Sequence, residues 1–238
     1  MTNVSCGAAT IGDVTFKAQA PFGRHLPPFS TDQDHPFPAV PAQSEAVRPD
    51  TDVITVGVGG NTLGFAGILL RCMRLGADSG GVGTPCRDGL AADIPGRLAK
   101  VSQGYDQMLT LLHERAPHAT VLAVGYPTII PDDSSKCRYN DWRHFASVTR
   151  GDLTWLRKDV LEPLNEAIGK SVGTHRAARF VDLYASSRNH SVCDTDKWVE
   201  GLHTSTPDQI GLVHPDAKGH HHAADHVAAA MLNTLGTG

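Results

Sequence analysis

Two stretches of the sequence hold side chains suited to chemistry. Asp52 to Thr62 reads Asp-Val-Ile-Thr-Val-Gly-Val-Gly-Gly-Asn-Thr, a short β-branched run that stops at Gly59-Gly60 and delivers Asn61. Far downstream, Leu212-Val213-His214-Pro215-Asp216 places a histidine and a proline immediately before a helical pattern. An asparagine amide fixed at a strand tip is a suitable donor to a developing oxyanion. A histidine titrates near neutral pH, and one held in a turn ahead of a helix suits a general base. A base and an oxyanion donor are two of the four parts of ester hydrolysis by a serine enzyme, the others being a nucleophile and a group that orients the base. Taken singly, each stretch also reads as ordinary structure: a strand followed by a turn, and a proline opening a helix.

The elements around them must position these groups. The run before Asn61 has the length and composition of a strand packed on both faces. Thr120 to Tyr126 and Arg179 to Tyr184 read as further buried strands, and Asn3 to Thr10 as the end of another. Between them lie helical apolar spacings over Leu63 to Met73, Leu90 to Ala116 and Asp152 to Val172, with Asp152 as N-cap of the last. Asp216 to Leu235 closes the chain as a helix. Strands alternating with helices predict a parallel, doubly wound sheet, whose ligands bind outside the carboxyl ends of the strands. Two glycines before Asn61 allow close backbone approach or a positive φ there. Pro21 to Pro49, with prolines also at 27, 28, 36, 38 and 41, excludes a long helix and reads as a surface loop that walls a cleft or is a passive excursion.

With 238 residues, 40% apolar and 19% charged, the chain suits one domain with a sizeable core. A net charge of −4 with scattered Lys and Arg argues against nucleic acid as a partner. No apolar run reaches the length of a membrane span, and Met-Thr-Asn-Val-Ser-Cys has neither a basic nor an apolar leader region. Read literally, that start is cytosolic, whereas the five cysteines point to an oxidising compartment. Cys72 and Cys86 bracket a loop-like Leu75 to Pro85 of the kind a disulfide stabilises well; the alternative is five reduced thiols.

Gly59-Gly60-Asn61 at a strand end, His214-Pro215 opening the last helix and the early Val4-Ser5-Cys6-Gly7-Ala8-Ala9-Thr10 together resemble the SGNH (GDSL-type) hydrolases, especially their secreted, disulfide-bonded bacterial esterases and lipases. The resemblance runs from about Asn3 to the C-terminus. It implies a three-layer α/β fold with a flavodoxin-like parallel sheet of order 2-1-3-4-5, in a single domain spanning 1–238. The chemistry it implies is hydrolysis of a carboxylic ester, small or lipid, by a monomer without cofactor or metal. His214 would be the base. Asn61 and the backbone N–H of Gly7 or Ala8 would be oxyanion donors, Ala8 serving if its φ is negative. Where the family often carries an aspartate three residues before the histidine, this chain has Gly211, whose carbonyl would orient His214; Asp208 is the other candidate. The aspartate that follows Gly-Gly-Asn in the family is Thr62 here. Of the three disulfides in such esterases, Cys72 with Cys86 and Cys137 with Cys193 match the second and third, and Cys6 the later half of the first.

The family's nucleophile lies in a Gly-Asp-Ser just after the first strand, and no Gly-Asp-Ser occurs in this sequence. With Cys6 lacking a partner and secreted-type cysteines lacking an export leader, the expectation is a secreted esterase whose first strand, nucleophile and signal peptide lie upstream of Met1. On that expectation the 238-residue chain is inactive and folds poorly by itself. The alternative is a non-catalytic ligand-binding protein on the same scaffold. The histidines at 220, 221, 222 and 226 with Asp225 read as a solvated helix face, since no Glu completes a His-Glu-x-x-His.

Overall fold

The computed structural model describes residues 1–21, 23, 31–204 and 211–236. In chain order the elements are α1 (Ile11–Thr15), β1 (Val53–Val56), α2 (Gly60–Leu63), α3 (Phe65–Asp78), α4 (Pro85–Leu90), α5 (Ile94–Arg115), β2 (Thr120–Val124), α6 (Arg150–Trp155), α7 (Glu162–Gly173), β3 (Ala178–Val181) and α8 (Ala217–Leu235). A π-helical segment, Leu156–Leu161, joins α6 to α7.

The three strands pair in parallel in the order β1-β2-β3, with Val53 opposite Thr120 and Val121 opposite Ala178. Alternation along β2 sorts the two faces. Val121 and Ala123 join the main core with Tyr105, Met108 and Leu112 of α5 and Ile168 of α7. Leu122, with Val181 and Leu183, packs against Ala223, Val227, Ala230 and Met231 of α8. Helices thus cover both faces, giving the three-layer α/β fold expected. Among the described residues β1 has no strand on its outer edge, which matches a flavodoxin-like sheet without its first strand. Asn3 to Thr10, read as a strand end, forms no strand; the outer strand of the 2-1-3-4-5 order would pair only with that first strand.

Several local readings are corrected. The helix read over Leu63–Met73 breaks at Gly64, which is left-handed at φ 79°, and resumes as α3 through Asp78, so the loop between Cys72 and Cys86 is short. The pattern over Leu90–Ala116 divides into the end of α4, a 3₁₀ turn at Ala91–Asp93 and α5. Asp152 is not the N-cap of its own helix: Thr149 is, accepting from the Asp152 N–H at 3.0 Å. The fully buried Asp152 carboxylate instead caps α4, accepting from the N–H groups of Cys86 (3.1 Å) and Arg87 (2.9 Å) and from the Thr149 hydroxyl (3.0 Å). A carboxylate at orphan helix N–H groups is electrostatically favourable. The disulfides Cys72–Cys86 and Cys137–Cys193 form, and Cys6 is a free thiol.

Two histidines tie the later loops to this frame. His144 Nδ1 accepts the Arg138 N–H at 2.9 Å, a role only an unprotonated nitrogen can fill. His222 stands between Trp198 (ring centroids 4.7 Å) and His226 (4.4 Å), and Trp198 stacks on His190 at 3.5 Å and 5°. Burial, the largest cause in each, pulls both histidines below their ordinary 6.5; Arg138 and Arg143 add to it at His144, and His226 and His190 at His222, while Asp141 and Asp225 oppose it.

Two stability predictions follow from these contacts. Asp152→Ala strips the Cys86 and Arg87 N–H groups of their acceptor, while the Thr149 hydroxyl keeps the Gly83 carbonyl, and is expected to cost about 2 kcal/mol in urea unfolding, with Asp152→Asn costing less. The lowered histidines give a pH dependence of definite sign. The unfolded chain binds their protons first as pH falls, so stability is full above about pH 6.5 and erodes from there down through the lowered folded values. A urea midpoint lower at pH 5.5 than at pH 8 is expected, in a window separate from carboxylate titration near pH 4; a flat profile there contradicts it.

Candidate active site

Asn61 follows the end of β1 through a turn built for it. Gly59 has φ 132°, a conformation L side chains rarely adopt, and lies against Val101, Tyr105 and Ile168. On one side of it the Tyr105 hydroxyl donates to the Val58 carbonyl at 2.6 Å. On the other, the Gly60 N–H donates to the Tyr126 hydroxyl at 2.6 Å. Tyr126 is itself fixed by Asn165, whose Oδ1 accepts its N–H (2.8 Å) and whose Nδ2 donates to its carbonyl (3.1 Å). Burial raises both phenols above the ordinary tyrosine value, so both stay neutral hydrogen-bonding groups. The Arg97 guanidinium closes the far end of α2 on the Leu63 carbonyl at 3.0 Å.

So held, the exposed Asn61 donates from Nδ2 to the Ala9 carbonyl at 3.1 Å. Thr62, in the family's aspartate position, accepts the Ile11 N–H at 2.9 Å and caps α1, whose own N-cap Thr10 forms a reciprocal box with Asp13. Asn61 and Thr62 therefore both grip the segment that contains Gly7 and Ala8. Neither the Gly7 nor the Ala8 N–H has an acceptor among the described residues. Ala8 adopts φ 61°, not the negative φ anticipated, while the Gly7 carbonyl is taken by Gln19 Nε2 at 2.7 Å.

His214 lies at the other flank. Its Nδ1 is 2.8 Å from the Leu212 carbonyl. A carbonyl only accepts, so Nδ1 carries a proton, which leaves Nε2 as the nitrogen that can take up or give up a proton, the arrangement a base requires. The orienting carbonyl is thus Leu212 rather than Gly211, which accepts the His214 backbone N–H at 3.1 Å instead. Asp208 lies outside the described residues. The reason Leu212 reaches the ring is backbone shape: Leu212 (φ 47°) and Val213 (φ 58°) are both left-handed, costly for a leucine and more so for a β-branched valine. Hydrogen bonds from Gly211 N–H to Leu202 (2.8 Å) and from Val213 N–H to Gly201 (3.0 Å) hold that strain in place.

The following residues anchor the turn. Val199 and Pro215 form an antiparallel bridge, with the Glu200 N–H on the His214 carbonyl (2.9 Å) and the Asp216 N–H on the Trp198 carbonyl (2.9 Å). Gly219 is required here: a Cβ would stand 2.3 Å from the Trp198 carbonyl oxygen. The Asp216 carboxylate caps α8 on the Gly219 N–H at 2.9 Å. Ser186, beyond the carboxyl end of β3, meets His222 near the start of α8, so α8 begins at the carboxyl edge of the sheet, the edge that carries Asn61. None of the described serines is hydrogen-bonded to His214. A hollow of about 350 Å³ lined by Leu109, His113, Val121 and Arg176 lies at the opposite edge, where β2 and β3 begin.

Asn61 and His214 were legible in the sequence; their supports were not. Tyr105 reads there as a core position of a helix, and Tyr126 as a strand end. The sign that could have flagged Tyr126 is a phenol between Gly125 and Pro127, at the carboxyl end of a buried strand. Asn165 and Trp198 carry no comparable sign.

The chain is similar to known proteins over nearly all its length. Residues 2–222 match the GDSL-like lipase/acylhydrolase family. Lipase 2 of Streptomyces coelicolor is 30% identical over 233 residues, covering 95% of this chain and 69% of the lipase. An esterase of Streptomyces scabiei is 29% identical over 260 residues, covering 98% and 71%. Two solved structures share the fold. The extracellular lipase of Streptomyces rimosus has a TM-score of 0.53 at 21% identity over 82% of this chain and 72% of its own. Phospholipase A1 of Streptomyces albidoflavus has a TM-score of 0.55 at 20% identity over 98% and 78%. A strand-tip asparagine, an oriented histidine ahead of the last helix and this breadth of match agree: the chain belongs to the GDSL-like lipase/acylhydrolase family.

Proposed function

We propose that this protein is the scaffold of a serine-type carboxylic ester hydrolase, exported in its full-length form and acting as a monomer, with His214 as general base. Asn61 Nδ2 and the backbone N–H of Gly7 receive the oxyanion, since Ala8, at φ 61°, does not meet the condition of a negative φ, and the Leu212 carbonyl orients the base. The serine is the one of the Gly-Asp-Ser block, which residues 1–238 do not contain, so hydrolysis through His214 needs that block supplied. The observation that carries this reading is the His214 ring, whose Nδ1 is committed to Leu212 while Nε2 has no hydrogen-bond partner among the described residues.

In the reaction, the serine hydroxyl adds to the ester carbonyl as its proton passes to His214 Nε2. The carbonyl oxygen, now negative, draws on donors that are already in place, so no reorganisation is needed as charge develops. The imidazolium then protonates the leaving alcohol, and water repeats the sequence on the acyl-serine. A backbone carbonyl carries no full charge, so it fixes the tautomer but stabilises the imidazolium less than a carboxylate does.

The test is hydrolysis of p-nitrophenyl butyrate by residues 1–238 with a Gly-Asp-Ser-bearing strand and helix fused upstream of Met1. In that form His214→Ala is expected to lower kcat by about 10³-fold or more and Asn61→Ala by about 10²- to 10³-fold. Ester hydrolysis indifferent to His214→Ala rejects the assignment. A folded fusion that binds ester without turnover favours the ligand-binding alternative. Tyr126→Phe leaves the Gly60 N–H without its acceptor and loosens Asn61; kcat is expected to fall about tenfold with KM little changed, and an equal loss in KM would assign Tyr126 to substrate binding instead.

A further inference from the structure

A serine–histidine hydrogen bond that the reading above does not use lies at the same edge of the sheet: Ser186 Oγ stands 2.9 Å from His222 Nε2. Its setting is built from both sides. Ser186 belongs to the turn that follows β3, and that turn is pinned on each flank of it. Asp182 Oδ1 accepts the N–H groups of Tyr184 (2.8 Å) and Ala185 (3.3 Å). The buried Ser187 accepts the Thr128 N–H (2.8 Å) and donates to the Leu183 carbonyl (2.7 Å), while the Thr128 hydroxyl donates to the Tyr184 carbonyl (2.8 Å). Ser186 itself is exposed, and its contacts to the Asp182 and Leu183 carbonyls are long, 3.5 and 3.4 Å, so its short hydrogen bond is the one to His222.

His222 is held by packing. Its ring lies between Trp198 and His226, and Trp198 is in turn stacked on His190, whose Nδ1 bonds the Asp196 carbonyl at 2.7 Å. The aromatic column fixes the ring plane with Nε2 toward Ser186. The neutral form is favoured there, since burial and the neighbouring His226 draw the ring below its ordinary value. A rigid, exposed hydroxyl facing a neutral, fixed imidazole nitrogen is the minimal nucleophile–base arrangement.

We propose that Ser186 and His222 form a second nucleophile–base pair, separate from His214, which is acylated by small, solvent-accessible carboxylic esters. Ser186 Oγ adds to the ester carbonyl carbon, forming the Oγ–C bond, and its proton passes to His222 Nε2. Collapse breaks the C–O bond to the alcohol, which leaves with the proton from His222. Water, deprotonated by the same nitrogen, then hydrolyses the acyl-serine and regenerates the pair. The exposure of Ser186 admits small esters directly from solvent.

The pair is tested on residues 1–238 and, because that chain is expected to fold poorly by itself, also on the Gly-Asp-Ser-bearing fusion with its motif serine and His214 both replaced by alanine, so its failure leaves the His214 assignment untouched and the reverse also holds. The chain is treated at pH 7.5 with p-nitrophenyl acetate and, separately, with an alkyl fluorophosphonate, and the adduct is located by peptide mass mapping. An adduct on Ser186 of the wild-type chain is expected, absent in Ser186→Ala. In His222→Gln it is expected to form about 10²-fold more slowly, with the thermal transition of each variant recorded to show that it folds. A folded wild-type chain that carries no adduct on Ser186, or an equal rate in folded His222→Gln, overturns the proposal and leaves the contact a packing feature only.

Discussion

The hydrogen bond from the Gly60 N–H to the Tyr126 hydroxyl is the constraint on which the site depends. It joins the first residue of α2, which follows β1, to the segment just beyond β2 across the carboxyl edge of the sheet, at a place where both segments have left their ladder. Neither end is free to drift: Tyr105 holds the Val58 carbonyl, and Asn165 grips Tyr126 by both backbone groups. The left-handed Gly59 between the two phenols leaves no room for alternative paths of the turn. Asn61 inherits its position from this frame and passes it on to the Ala9 carbonyl, so the amide proposed as an oxyanion donor is held before any ligand arrives. The phenols can do this at any working pH because burial keeps them neutral.

The opposite flank solves a different problem. Without a carboxylate at position 211, the chain reaches a base-competent histidine by bending its own backbone. Leu212 and Val213 both enter the left-handed region, which turns the Leu212 carbonyl back onto Nδ1. The strain is sustained by hydrogen bonds to Gly201 and Leu202 and by the bridge between Val199 and Pro215. Those partners belong to the loop that Cys137–Cys193 and the His190–Trp198–His222 column fasten to the body of the protein. Disulfide, aromatic stack and strained turn therefore act in series, each limiting the freedom of the next.

Substitution at one family position also shows how the frame adapts. Thr62 stands where the family carries an aspartate, yet its hydroxyl still takes a helix N–H, that of Ile11, and keeps the early segment against Asn61. An exchange that removes a charge retains the acceptor, which is what the orphan N–H of α1 needs.

By itself the sequence determined the layers and pointed to two residues of the candidate site. Strand composition and helical apolar spacing are local properties: the β-branched run before Gly59-Gly60-Asn61 became β1, though partly buried with Thr55 exposed rather than packed on both faces, and the Tyr105–Leu112 stripe became the core face of α5. Cys72 and Cys86 paired because they are close along the chain as well as in space. What the tertiary structure alone decided lies at long sequence separation. Asp152 looked like the cap of its own helix and caps α4 instead, because packing of α6 against α4 sets the carboxylate before the N–H groups of Cys86 and Arg87, and Thr149 was free to take the nearer role. Tyr126 meets Gly60, and Ser186 meets His222, only after the sheet has brought their loops to one edge. The carbonyl that orients His214 turned out to be one residue nearer than the expected one, since a pair of left-handed residues is imposed by contacts to residues 201 and 202 and by nothing in the local sequence. Local patterning fixes elements; which polar groups face one another across elements follows from hydrogen bonds that exist only in the folded chain.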